Sequence, residues 1–204
     1  MTDARLYFPA TERNRDALLH ALDPWLPAKG TLLEIASGSG EHLTYFAMKG
    51  LRPNLRWIPS DPDPEHRASI DGWRIAHGVR DQVTPAIELD TIKTPWPIDA
   101  VDAILCCNMI HIAPWEACLG LLEGASKALR TGGPLVLYGP FMRDGQHTAP
   151  SNEAFDTRLK ERDERWGVRD LEVVTEHAAT RGLVRRHVET MPANNLCAIF
   201  HRPA

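Results

Sequence analysis

The stretch LEIASGSGEH, residues 33–42, combines an apolar run, a single acid and two closely spaced glycines. Its first half is short and apolar apart from Glu34, as expected of a buried strand. Gly38 and Gly40 follow, and glycine lets a backbone approach a ligand where a Cβ would clash. A helix predicted from Glu41 would offer its unpaired N–H groups to that ligand. The stretch therefore predicts a strand, a ligand-binding turn and a helix.

A second acid, Asp61, follows the next predicted strand, 21 residues beyond Gly40. In doubly wound folds an acid about 20 residues past the turn commonly binds both hydroxyls of a ribose. A dinucleotide fingerprint would have a third glycine where Leu43 stands, so the pattern disfavours a nicotinamide dehydrogenase without removing that alternative. With the acids of Glu88-Leu89-Asp90 after a third predicted strand, the turn predicts an adenosine-containing ligand.

Apolar periodicity along the rest of the chain alternates between strand-like and helix-like segments. We predict one α/β domain over residues 1–204, with a doubly wound, mostly parallel seven-stranded sheet that ends in a C-terminal antiparallel hairpin. Residues 1–30 are predicted to form an N-terminal helical cap, and residues 139–170 a lid of one long polar loop and a helix. The predicted strands cover residues 31–36, 55–60, 83–89, 101–109, 134–138, 183–190 and 196–201.

Composition and charge narrow the classes of function. The 204 residues carry a formal net charge of -4, whereas a general nucleic-acid binder is usually basic, so no nucleic acid is expected as a partner. The four cysteines lack C-x-x-C spacing and the nine histidines do not cluster, so no metal site is predicted. No apolar run is long enough to span a membrane, and the first residues do not resemble a signal peptide. We expect a cytoplasmic protein, and the sequence leaves open whether it forms a homodimer.

Several segments carry a family resemblance. The stretch at residues 33–42 resembles the cofactor motif of class I S-adenosylmethionine-dependent methyltransferases. Segments along nearly the whole chain resemble, more narrowly, the methyltransferase-like family DUF938. These are residues 12–14 (ERN), 59–63 (PSDPD), 108–112 (NMIHI), 138–141 (YGPF), 143–147 (RDGQH), 151–153 (SNE) and 191–195 (MPANN). The resemblance implies a Rossmann-like fold and S-adenosyl-L-methionine as cofactor, and it supplies no substrate.

The same resemblance implies a set of cofactor-binding residues. The methionine part of the cofactor would lie among residues of the first strand, the turn and the following helix, and Asp61 would bind the ribose. Leu89 and Asp90 would flank the adenine, while Asn108 and Met109 would lie beneath the cofactor near its sulfonium. The residues implied around the methionine part are Glu34, Gly38, Gly40 and His42, and Ala36 is implied as a further cofactor-binding residue.

The acceptor side is predicted from polar residues near the carboxyl ends of strands, where open α/β sheets bind ligands. His111, Tyr138 and His147 are the candidate catalytic residues, and His111 is of interest because only histidine ordinarily titrates near neutral pH. Packing roles remain alternatives for all three. Ser151 could equally cap a helix, and Asn194 and Asn195 could serve only as turn residues. The candidate substrate-binding residues are Arg13, Asn14, Phe141, Ser151, Asn152, Asn194 and Asn195.

The predicted function is S-adenosylmethionine-dependent methyl transfer to an unidentified acceptor. A small-molecule acceptor is favoured because the chain is acidic overall and shows no appended binding domain. A protein or RNA methyltransferase is one alternative. A non-catalytic S-adenosylmethionine-binding module that acts through a partner is another.

Overall fold

The computed structural model of the chain describes residues 3–203, so residues 1, 2 and 204 of the predicted domain and cap lie outside the described residues. Its α-helices are α1 (Pro9–Leu22), α2 (Glu41–Met48), α3 (Pro64–Ala76), α4 (Trp115–Ala128), α5 (Pro150–Arg162) and α6 (Leu171–Ala179). Its strands are β1 (Lys29–Ile35), β2 (Asn54–Pro59), β3 (Ala103–Cys107), β4 (Pro134–Gly139), β5 (Met142–Arg143), β6 (Gln146–His147), β7 (Val184–Met191) and β8 (Asn195–His201). Within residues 3–203, no helix has the length and apolar content needed to cross a membrane.

The main sheet has the strand order β2-β1-β3-β4-β8-β7. Strands β2, β1, β3 and β4 are parallel, whereas β8 runs antiparallel to both β4 and β7. The predicted doubly wound, mostly parallel sheet with a C-terminal antiparallel hairpin is therefore confirmed. The short strands β5 and β6 form a separate antiparallel pair in the region predicted as a lid, and Met142 of β5 also bridges to Asp170.

The number of strands in the main sheet differs from the prediction: six rather than seven. Residues 83–89, predicted as the third strand, run beside β2 but form only isolated bridges, Trp57 to Val83 and Ser60 to Ile87. Pro85 lies between the two bridges and has no N–H to donate, which prevents a continuous ladder. The segment still follows the sheet edge, because Ile87 donates a backbone hydrogen bond to Pro59.

Alternating side chains of the central strands form two hydrophobic cores, one on each face of the sheet. On one face, Leu33 and Ile35 of β1 pack with apolar residues of α4 and α6. On the other face, Leu32 packs with residues of α1 and α2, including Phe46. Successive strand side chains point to opposite faces, so buried strands need apolar residues at consecutive positions. Helices on both faces leave the carboxyl ends of the parallel strands at one edge of the sheet.

The region after β4 is more ordered than the long polar loop predicted for it. Residues 142–147 form the β5–β6 hairpin, and α5 begins at Pro150. Proline suits the first turn of a helix because its missing N–H would be unpaired there anyway. The N-cap of α5 is Ala149, so Ser151 lies inside the helix and does not cap it.

Gly40 couples the glycine turn to α3, and this contact yields a stability prediction. Its φ is +86°, and a Cβ at this position would lie 2.7 Å from the Cα of Ile70. Gly40→Ala should lower the free energy of unfolding by about 1–2 kcal/mol because of the left-handed conformation. The overpacking should lower it by about 1–3 kcal/mol more. Gly50→Ala is the matched control, because Gly50 has φ +75° and open space around it. Urea unfolding that gives equal losses for both variants would contradict the contact.

Candidate functional site

A cleft of about 920 Å³ opens at the carboxyl ends of the parallel strands. Residues that follow β1, β2, β3 and β4 form its floor, and the first turns of α1 and α5, with the 3-10 turn Pro192–Asn194, border it. The cleft brings together thirteen of the residues predicted from the sequence. They are Arg13, Asn14, Glu34, Ala36, Gly38, His42, Asp61, Asn108, Met109, Ser151, Asn152, Asn194 and Asn195.

The glycine turn is built from left-handed backbone. Gly38 and Gly40 have φ of 57° and 86°, and Ala36, a residue with a Cβ, has φ of 51°. The turn closes with a hydrogen bond from the Gly40 N–H to the Ser37 carbonyl, while the Ser37 N–H donates to the Ser60 carbonyl after β2. These bonds fix the turn against the neighbouring strand, so its backbone faces the cleft in one conformation.

Glu34 projects from β1 into this region with its side chain almost fully buried. Its Oε2 atom has no hydrogen-bond partner in the described part of the chain. Burial is the main cause that raises the pKa of Glu34 to about 8; the Asp61 charge adds to it, against the opposing effect of a hydrogen bond with Ser37. An unpaired buried carboxyl oxygen is costly, and a cationic group placed beside it would remove that cost.

Asp61 is also buried, and both of its carboxylate oxygens are engaged. Oδ2 accepts the Gly38 N–H at 3.0 Å, and Oδ1 accepts the Asp63 N–H at 3.0 Å. The Nδ1 atom of His66 lies 3.1 Å from Oδ1. A carboxylate oxygen can accept more than one hydrogen bond, so this geometry orients Asp61 and leaves acceptor capacity for hydroxyl groups of a ligand.

His42, in the first turn of α2, is buried and linked to α1. Its Nε2 lies 2.7 Å from Asn14 Oδ1, and its ring stacks on Phe46. Burial, together with the Arg15 charge, lowers the pKa of His42 to about 4. The ring is therefore neutral at physiological pH, and its Nε2–H donates to Asn14. This bond ties the predicted cap helix to the glycine turn.

One cluster near the turn was not predicted from the sequence. Ligand atoms of Glu34, His42 and Cys107 all lie within 4.8 Å of one another, close enough to hold a metal ion. The same three residues line the cleft. Cys107 ends β3, and burial raises the pKa of its thiol well above the usual value.

Asn108 turns the chain sharply at the end of β3. Its φ is 62°, its N–H donates to the Tyr138 carbonyl, and the 3-10 helix Met109–His111 follows it. The predicted strand over residues 101–109 is therefore shorter, at Ala103–Cys107. The left-handed residue directs Asn108 and Met109 into the cleft.

His111 lies outside the cleft lining and is fully buried. Its Nδ1 accepts the Arg169 N–H at 3.1 Å, which leaves the proton on Nε2. Burial and the Arg169 charge lower the pKa of His111 to about 3. The bond from Arg169 joins the turn after β3 to residue 169, and a catalytic role of His111 stays a prediction.

The other two candidate catalytic residues, Tyr138 and His147, are also absent from the cleft lining. Tyr138 is buried, its hydroxyl accepts a hydrogen bond from Asn195 Nδ2 at 3.0 Å, and burial is the main cause that raises its pKa. His147 Nε2 lies 3.6 Å from a carboxylate oxygen of Asp156. Phe141, a predicted substrate-binding residue, is fully buried with its ring 4.9 Å from that of His111.

Three predicted cofactor-binding residues are absent from the cleft lining. Gly40 supports the turn from behind, through its contact with α3. Leu89 is buried in the core, and Asp90 Oδ1 accepts the N–H of Ile92. Leu89 and Asp90 therefore remain predictions for the adenine end.

The start of α5 is bonded to the turn between β7 and β8. Asn152 Nδ2 donates to the Asn194 carbonyl and to Thr148 Oγ1, both at 2.9 Å. Asn194 Nδ2 donates to Ser151 Oγ at 3.1 Å. Ala193 and Asn194 have φ of 57° and 58°. These amides join the start of α5 to the turn between β7 and β8, and the lid stays a prediction.

Several residues that line the cleft were missed from the sequence. Phe8 lies over the turn, where a Cβ on Gly38 would be 3.2 Å from its ring, and its N–H donates to Glu41 Oε2. Phe155 and Arg158 line the cleft from α5. Their spacing of three residues on one helix, beside the predicted Ser151 and Asn152, was a signal that could have identified them. The remaining missed residues are Ala10, Thr11, Ser37, Ser39, Pro62, His66, Cys107, Ile112, Ala113, Pro140 and Ala193.

The sequence profile of the DUF938 family, described as "Protein of unknown function (DUF938)", matches residues 5–202. The chain belongs to this family. The class I methyltransferase fold of this DUF938 protein is shared with solved structures at low sequence identity.

Three solved structures illustrate the similarity. An O-methyltransferase family protein from Burkholderia thailandensis is 17% identical, with a TM-score of 0.76 over 93% of the present chain. An O-methyltransferase family 2 protein from Planctomyces limnophilus, in complex with apigenin, is 22% identical, with a TM-score of 0.74 over 92%. CalO1, a methyltransferase of calicheamicin biosynthesis in its SAH-bound form, is 18% identical, with a TM-score of 0.74 over 96%. The DUF938 chain spans only 58%, 61% and 55% of these three chains.

The buried Glu34 carboxyl predicts a pH dependence of stability. Its pKa rises from 4.5 to about 8 on folding. Between these pH values the unfolded chain loses a proton that the folded chain keeps, so the free energy of unfolding falls as pH rises. Glu34→Gln has no proton to lose at this position. The free energy of unfolding of the variant, relative to that of the wild type, should therefore increase from pH 4.5 to pH 8. Glu88→Gln, at a side chain that is 67% exposed, is the control. A constant difference across this range in urea unfolding would contradict the assignment.

Proposed function

We propose that this DUF938 protein transfers a methyl group from S-adenosyl-L-methionine to a small-molecule acceptor. The observation that carries the proposal is the unpartnered, buried Oε2 of Glu34 beside a left-handed glycine turn and a second buried acid, Asp61. S-Adenosylmethionine carries an α-ammonium group that could pair with the Glu34 carboxylate. Its ribose hydroxyls could donate to the Asp61 carboxylate.

The order of the strands in the sheet determines which part of the cofactor each cleft residue would contact. Glu34, His42 and the turn would surround the methionine part, and Asp61 the ribose. Asn108 and Met109 follow β3, the strand next to β1, and would lie below the sulfonium. When bound, S-adenosylmethionine supplies a methyl group that its sulfonium already makes electrophilic.

The contribution of the protein to this reaction is chiefly positional. The acceptor atom must approach the methyl carbon in line with the carbon–sulfur bond. Its lone pair forms the new bond, the electron pair of the broken bond stays on sulfur, and a proton carried by the acceptor atom passes to water. Positioning of two reactants can remove about 7–11 kcal/mol from a barrier. Because His111 is buried, neutral and already bonded through Nδ1, we assign it a positioning role at the turn after β3.

We also propose that residues 1–30 act as a cap and residues 139–170 as a lid. Asn14 of α1 is bonded to His42, and Asn152 of α5 to the Asn194 carbonyl, so both segments border the cleft through polar contacts. A bordered cleft favours an acceptor that fits inside it. Exclusion of water from such a site strengthens the electrostatic contacts within it.

The cofactor assignment is tested by calorimetry on the purified protein. We expect binding of S-adenosylmethionine and S-adenosylhomocysteine, and no binding of nicotinamide dinucleotides. Asp61→Ala should weaken binding by about tenfold or more, because hydrogen bonds to a charged group contribute about 1.5–3 kcal/mol each. Asp81→Ala, at an exposed aspartate outside the cleft, is the control.

Because Asp61 also accepts two backbone N–H groups, circular dichroism must show that the variant is folded. Equal affinity in a folded Asp61→Ala variant would overturn the ribose assignment. A wild-type protein that binds neither sulfur compound would overturn the proposed function itself.

A further inference from the structure

Acidic and basic side chains both line the cleft. The acids are Glu34 of β1 and Asp61, which follows β2 and accepts the Gly38 N–H. The guanidinium groups are those of Arg13 from α1 and Arg158 from α5. Among the described residues that line the cleft, Glu34 and Asp61 are the only acids.

Neither arginine is neutralised by a neighbour. Other cations of this region form ion pairs: Lys160 lies 2.6 Å from Asp156, and Arg165 lies 2.6 Å from Asp163. By contrast, Arg13 and Arg158 form no ion pair with any residue in the range 3–203. Two unpaired positive charges that line one cleft repel each other and favour an anion between them.

The surroundings of the two arginines also favour the binding of an anion. The guanidinium carbon of Arg158 lies 5.9 Å from the ring centroid of Phe155, which also lines the cleft. The N-caps of α1 and α5 provide no capping side chain, and residues from both first turns line the cleft. Helix N-termini favour negative charge, although here they only supplement the guanidinium groups.

The space beside these charges is apolar. Ile112, one of the exposed large hydrophobic residues, lines the cleft together with Met109 and Phe155. An apolar body of a ligand would cover these side chains and remove them from water. The cleft therefore combines two guanidinium groups without ion pairs and an apolar surface that includes Met109 and Ile112.

We propose that the methyl acceptor is a small organic anion, a carboxylate or a phosphate, bound by Arg13 and Arg158 with its apolar body against Phe155 and Ile112. This inference rests on the proposed function, since it assigns the acceptor of that same site. Guanidinium groups recognise carboxylate and phosphate through paired hydrogen bonds, so the shared chemistry is that of a planar or tetrahedral oxyanion.

The test uses three probes on protein saturated with S-adenosylhomocysteine: benzoate, phenyl phosphate and the neutral benzamide. Affinities are measured by ligand-observed NMR titration. We expect at least one anion to bind about tenfold or more tightly than benzamide, as one charge-assisted contact predicts. Whether benzoate or phenyl phosphate binds more tightly distinguishes the two oxyanions. Arg13→Gln and Arg158→Gln should each reduce the preference for the anion, while Arg162→Gln, at an exposed residue of the same helix as Arg158, should retain it.

The affinity for S-adenosylhomocysteine, measured in the same samples, separates the two proposals. It should be unchanged in all three arginine variants, because Glu34 and Asp61 are untouched. Three results would overturn the inference while leaving the cofactor site intact. Benzamide could bind as tightly as both anions, or the preference for an anion could survive both cleft substitutions. The third such result is that no probe binds to the loaded protein. Loss of S-adenosylhomocysteine binding in the wild type would instead overturn the proposed function.

Discussion

Glu34 carries its carboxyl group into the protein interior near the end of β1, and one of its oxygens has no partner there. Burial of that kind is costly unless a charged or hydrogen-bonding group compensates it. The left-handed turn through Gly38 supplies the space for such a group, and Asp61 closes the other side of that space. In this account the ligand completes the structure, because its ammonium group supplies the charge that the folded chain lacks.

The remaining parts of the fold place this acid where a second molecule can reach it. Parallel strands with helices on both faces leave their carboxyl ends together at one edge. Two additions border that edge: α1 through the bond between Asn14 and His42, and α5 through the bond between Asn152 and the Asn194 carbonyl. Two acids, Glu34 and Asp61, and two arginines without ion pairs, Arg13 and Arg158, line the same cleft.

Much of the fold was predictable because apolar periodicity reports burial directly. The buried strands β3 and β4 are nearly continuous apolar runs, and the terminal hairpin follows from two close strands. The predicted third strand, residues 83–89, forms only isolated bridges because Pro85 interrupts its ladder, an effect that a short apolar window hides. Thirteen predicted site residues meet in one cleft because they follow strands or begin helices. His111 and Tyr138 do not reach it, because the direction of a side chain beyond a strand end depends on turns such as left-handed Asn108. Arg158 was missed because apolar periodicity identifies only the buried face of a helix. Arg158 lies on the face of α5 that is exposed to the cleft.

The most direct test of the central claim is the number of protons released when S-adenosylhomocysteine binds at pH 7, measured by calorimetry in buffers of different ionisation enthalpy. Glu34, with its pKa raised to about 8, is mostly protonated at pH 7 before binding. Pairing with an ammonium group requires the carboxylate, so wild type should release about one proton. Glu34→Gln has no such proton to lose. Tight binding without proton release in the wild type, or equal release in both proteins, would contradict the account.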